Sequence, residues 1–171
     1  GALQGCSSTP EGNWDPAFFN GEEAAQLEKV CEGICPKTTT PGAIDAGVPA
    51  HLDKAMSARA EEPEIQLTKE GLQVFVNNFN ESQGVDFYEA STEQITASIN
   101  GYFRKYQDDP TVLRKLREAM SEEQPALSPD LKEALFVTQI VDSTFWSYFT
   151  SELVGETVMR YDPIPVKYEG C

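Results

Sequence analysis

The chain has 171 residues, enough for one domain and a sizeable core, with roughly 70% of the unfolded surface hidden on folding. Hydrophobic residues make up 40% and charged residues 24%, a globular rather than a disordered composition. Thirteen Lys and Arg against 28 Asp and Glu leave a formal charge of −15, which repels phosphate and argues against nucleic acid as a partner; a single histidine excludes His-rich zinc sites and the HExxH motif.

Residues 1 to 17 are rich in Gly, Ser, Pro and Asn and read as a flexible leader or tether, with the helical domain running from 18 to 171. Within the leader, Leu3 precedes the pair Gly5-Cys6, which resembles the end of a bacterial lipoprotein signal. On that reading the chain is exported to the periplasm or envelope of a Gram-negative bacterium, and Cys6 is the candidate acylated residue. It would then be the chain's sole membrane tether, since no apolar run nears the ~18 residues a span needs.

Asn20 and Glu23 have the spacing of a capping box, and Ala24, Leu27, Cys31 and Ile34 follow at helical intervals until Pro36. Pro36 to Ala43 is a loop with a Pro-Gly turn signal. Val48 to Ala60 reads as a second helix that tolerates Pro49 in its first turn, and Glu61 to Glu64 breaks it. Thr68 is placed to cap a third helix that Gly84 ends. Ser91 and Thr92 open a fourth. Asp109-Pro110 starts a short fifth through Met120, and Ser128-Pro129 starts a sixth running to about Thr150. In that last helix Leu131, Leu135, Phe136, Ile140, Phe145, Trp146 and Phe149 cover much of the circumference, which predicts a largely buried element. The prolines after Thr157 predict an extended C-terminal arm. The expected fold is mainly α: a single-domain bundle of about six helices with that arm lying on it.

Reactive constellations are scarce. Gly42 and Gly47 have the gap of a phosphate loop, but Val48 and Pro49 stand where Lys and Ser or Thr are needed. No C-x-x-C is present. Cys31 and Cys35 lie four apart on a helix, too far to bond each other; a disulfide from Cys171 to either, or burial of both as small apolar residues, are the alternatives. Cys35 and His51 could meet across the loop as a thiol–imidazole pair, the basis of a rival enzymatic reading. Arg104, Lys105, Arg114, Lys115 and Arg117 reverse the overall charge locally and form either a solvated face or a docking patch for an acidic partner.

The segment Ile34-Cys35-Pro36-Lys37-Thr38-Thr39-Thr40-Pro41-Gly42-Ala43-Ile44-Asp45-Ala46-Gly47-Val48, continuing to Leu52-Asp53, resembles the signature of the gluconate 2-dehydrogenase subunit 3 family. Phe18-Phe19 with Glu22-Glu23-Ala24, the stretch Tyr148 to Glu152, and the closing Pro165 to Cys171 are similar to family members too. The resemblance implies a small subunit without its own redox cofactor. Such a subunit accompanies an exported, FAD-containing dehydrogenase of the glucose-methanol-choline type and helps it mature, and a cytochrome c often takes the electrons. The signature residues Pro36, Pro41, Gly42, Ala43, Asp45, Gly47, Val48 and Asp53 form either a rigid connector between two helices or a preorganised contact surface for the large subunit. Here Gly42 supplies the turn, and Asp45 and Asp53 bind the loop's amides. A lipid-anchored envelope protein with a structural or interaction role is the other alternative.

Overall fold

The computed structural model describes residues 12–106 and 127–160. The Asn20 side chain accepts the Glu23 N–H at 2.8 Å and the Glu23 carboxylate accepts the Asn20 N–H at 2.9 Å. This box satisfies two amides that no helix carbonyl can reach, and it opens α1 (Gly21–Ile34). Cys35 and Pro36 end that helix. Gly47, with φ +68°, introduces α2 (Val48–Arg59) from left-handed backbone that a side chain would strain.

Helix α3 (Glu62–Gln83) starts well before the expected Thr68 cap. Pro63 stands in its first turn, where its missing N–H has no helical acceptor to lose, so the Glu61–Glu64 segment starts a helix as well as ending one. Gly84 closes α3 at φ +63°. Ser91 and Gln94 cap α4 (Thr92–Tyr106) reciprocally at 2.9 and 3.3 Å. Helix α5 (Pro129–Thr150) has the expected span. A short α6 (Glu152–Thr157), too brief to show periodicity, follows at once on a Ser151 cap. There are six helices and no strand among the described residues, a mainly α fold as expected. The expected helix through Val112–Met120 and the arm beyond residue 160 lie outside the described residues.

Two helices are central. α1 packs against α2, α3, α4 and α5, and α5 packs against α1, α2, α3 and α6. The closest pairing is α3 on α5, where Gly71 lets the backbones meet: a Cβ there would lie 2.6 Å from the Phe136 Cβ and 2.7 Å from the Lys132 carbonyl oxygen. Beside it Phe75 and Phe79 meet Phe87 edge-on at 6.1 and 5.2 Å between ring centres. Several polar groups inside are paired. Buried Gln26 donates to the Tyr88 hydroxyl at 3.0 Å and accepts from Gln73 at 3.1 Å, and the Lys29 ammonium donates to the Ala90 carbonyl at 2.9 Å.

The folded unit begins before residue 18. Gly12 donates to the Gly21 carbonyl at 3.1 Å, and the Glu28 carboxylate holds Asn13 by its backbone and side-chain nitrogens at 3.1 and 2.8 Å. Residues 12 to 17 are therefore bound to α1 rather than tethering it, which moves the expected boundary towards the N-terminus. Their sequence shows no periodicity because side chains of distant helices anchor them.

Candidate functional site

The loop between α1 and α2 is braced from several directions. Glu32, in the last turn of α1, accepts the Lys37 N–H at 2.7 Å and the Ile44 N–H at 3.0 Å, so one carboxylate spans the loop. The Ala43 N–H donates to the Cys35 carbonyl at 2.8 Å and the Val48 N–H to the Ala43 carbonyl at 3.0 Å. Asp45 accepts the Gly42 N–H at 3.1 Å and binds the Lys37 ammonium at 3.1 Å. The Lys37 hydrogen bond, and next the Gly42 amide, hold the Asp45 carboxyl below the usual carboxylate range. This brace is complete above pH ~4 and is lost as pH falls through the lowered folded-state value. From the far side, the Tyr148 hydroxyl of α5 donates to the Pro41 carbonyl at 2.7 Å.

Glu32 is the residue sequence reasoning missed. Its one trace is an acid in a C-terminal turn, where the helix dipole disfavours it. It also explains Gly42, whose backbone is not left-handed: a Cβ at 42 would collide with the Glu32 carboxylate. Gly42 thus leaves room for that carboxylate, and the left-handed turn conformation falls to Gly47. Glu32→Ala should lower stability by about 1–2 kcal/mol through its freed amides. Gly42→Ala should cost less in that background than in the native chain, a coupling read from thermal unfolding of the two single variants and the double variant.

The remaining signature residues divide by depth. Ala43 and Val48 are wholly buried and anchor the loop. Ile44 and Asp45 reach solvent beside the Thr38–Thr40 tip. A surface groove of about 430 Å³ runs between Lys37, Thr38, Pro41, Asp45 and Leu153. Asp53, 1% exposed, does not bind the loop's amides. Its carboxylate accepts the N–H groups of Ala17, Phe18 and Phe19 at 2.7, 3.0 and 2.9 Å, pinning the segment before α1 onto α2.

The end of α5 corrects a second expectation. Phe145, Trp146 and Phe149, expected inside, are 42%, 61% and 50% exposed. Leu135, Phe136, Ile140 and Tyr148 take the buried face, so at this end the helix carries apolar side chains inward and outward. Phe145 stacks on Phe149 at 6.3 Å, Phe149 meets the Tyr148 ring at 5.3 Å, and His51 of α2 lies 6.1 Å from Trp146. The braced loop and an aromatic ridge therefore adjoin through Tyr148.

A family model described as gluconate 2-dehydrogenase subunit 3 matches residues 21–166. The chain belongs to the gluconate 2-dehydrogenase subunit 3 family. The match takes in the whole braced loop and every helix described above, and it begins just after the Phe18-Phe19 pair. No curated protein and no solved structure matches the chain. The family is that of a dehydrogenase subunit, so the loop and ridge belong to a component of a dehydrogenase complex.

In this family member the thiols are poorly placed for nucleophilic work. Cys31 and Cys35 are free and buried. Burial, with lesser effects from nearby carboxylates, pushes Cys31 up to about 12 and Cys35 up to about 11, the wrong direction for a thiolate. Cys31 instead meets the Thr144 hydroxyl at 3.5 Å, and His51 faces Trp146. With Cys6 and Cys171 replaced by serine, the folded chain should leave a disulfide reagent at pH 7.5 unreacted, and denaturant should release both remaining thiols to it. Cys6 and Cys171, and with them the expected acylation and bridge, lie outside the described residues. So do Arg114, Lys115 and Arg117 of the basic series; Arg104 is exposed on α4. Among the described residues, no group of three His, Cys, Asp or Glu is placed to hold a metal, and no helix is long and apolar enough to cross a membrane.

Proposed function

We propose that this chain is the non-catalytic small subunit of an exported, FAD-dependent dehydrogenase of the glucose-methanol-choline type, acting on a sugar or polyol. The large subunit holds the flavin and takes the hydride, and a cytochrome c accepts the electrons. This chain binds the large subunit and assists its maturation, export or assembly, with Cys6 as a lipid tether in the envelope.

The observation that carries this reading is the braced loop at the family signature. Glu32, Asp45 and Tyr148 hold it in one conformation before anything binds, which lowers the ordering cost of association. What the loop presents to solvent is threonine, isoleucine and a neutralised Lys37–Asp45 pair, groups suited to contact.

The test is co-expression with a glucose-methanol-choline-type flavoprotein from the same organism. That enzyme should be exported and active with this chain present, and should fail to mature without it. Full export and activity after deletion of this chain would end the proposal, as would turnover of a carbohydrate by the purified chain alone.

A further inference from the structure

We infer that the exposed aromatic ridge of α5, edged by the cationic face of α2, is the surface that seats the large subunit, and that the partner's surface there is apolar with carboxylates along one side. The inference rests on the function proposed above and assigns its contact to residues outside the signature loop.

From Ser143 to Ser151 the chain carries nine residues without a charge, between Asp142 and Glu152, in a protein of which 24% is charged. Three of the nine are aromatic side chains held open to solvent, together roughly 300 Å² of ring surface if each buries the usual area on full coverage. That is the size of the largest apolar patch on a typical soluble protein, which is often functional. Phe, Trp and Tyr also supply large contact areas at low entropy cost.

Charge on the neighbouring helix selects the occupant. Among the described residues, four cations make neither an ion pair nor a hydrogen bond: Lys54, Arg59, Arg104 and Arg160. Two of them stand on α2, whose only carboxylate, Asp53, is buried, so the exposed charge of that helix is wholly positive. His51 ties this edge to the ridge at Trp146, and Lys54 follows it one turn on. A chain of net charge −15 that keeps unpaired cations beside bare aromatic rings is complementary to an acidic rim around an apolar seat. A second copy of the same cationic edge would be repelled.

The test uses the full chain co-expressed with the tagged large subunit. Trp146→Asp combined with Phe149→Asp should weaken association about 30-fold or more, while circular dichroism and melting temperature stay near native because these side chains are exposed. Lys54→Glu should weaken it about fivefold at low salt and flatten its salt dependence. Asn77→Asp, at an exposed position on α3, should leave it unchanged. If the native chain itself fails to co-purify, the proposed function falls. If the native chain co-purifies and the ridge variant does so equally well, only this assignment is overturned. An isolated chain that dimerises through the ridge, with large-subunit binding untouched by the double variant, overturns it too. So does a Lys54→Glu variant that binds as the native chain does.

Discussion

Asp53→Ala is expected to cost about 4 kcal/mol, lowering the melting temperature by about 10 °C. The Asp53 carboxylate receives three backbone N–H groups, two of them buried with Phe18 and Phe19. Alanine leaves those donors facing an apolar interior, and an orphaned buried donor costs about 1–3 kcal/mol. The loss is bounded by the free energy of detaching the segment, because residues 12 to 19 can lift away as a unit before the bundle opens. Amide exchange should therefore report the change first at Phe18 and Phe19, with the α3–α5 amides still protected. Asp53→Asn should fall between. Its oxygen can still accept from Phe18 and Phe19, while its amide nitrogen meets the Ala17 N–H donor to donor. Equal protection of Phe18 and Phe19 in the native and alanine chains would contradict the role assigned to this carboxylate.

The second large effect concerns two glycines in helices, whose alanine variants should move stability in opposite directions. Gly71→Ala places a methyl 2.6 Å from the Phe136 Cβ and 2.7 Å from the Lys132 carbonyl. Neither atom is the end of a flexible side chain, so α3 and α5 must separate. Overpacking of this kind costs about 1–3 kcal/mol and outweighs the roughly 1 kcal/mol that alanine gains over glycine inside a helix. A net loss of about 1 kcal/mol follows. Gly101 on α4 has nothing within 4 Å of its would-be Cβ, so Gly101→Ala should keep the propensity gain and stabilise by about 0.5–1 kcal/mol. Chemical denaturation of both variants reads the two signs directly.

Much of this fold is written locally. The capping boxes at Asn20 and Ser91 and the Ser128-Pro129 start are short-range signals, and the helices they announce begin where expected. The start of α3 is not legible in the same way, because Pro63 serves equally as a stop and as a first-turn residue. The ridge is illegible for a different reason. Phe145, Trp146 and Phe149 recur at intervals that suit either side of a helix, and only the position of α2 and the loop decides which side stays open. The signature loop is conspicuous by its prolines and glycines, yet its braces are not. Glu32 acts across 5 and 12 residues of chain and Asp53 across 34 to 36, and which amides each acid reaches depends on how the helices are set against each other.

Tyr148 sits between two roles of one helix. Its hydroxyl latches the Pro41 carbonyl, while Phe149, the next residue, meets its ring edge-on and projects outward. The loop and the ridge therefore share one support, a phenol whose hydroxyl serves the first and whose ring serves the second.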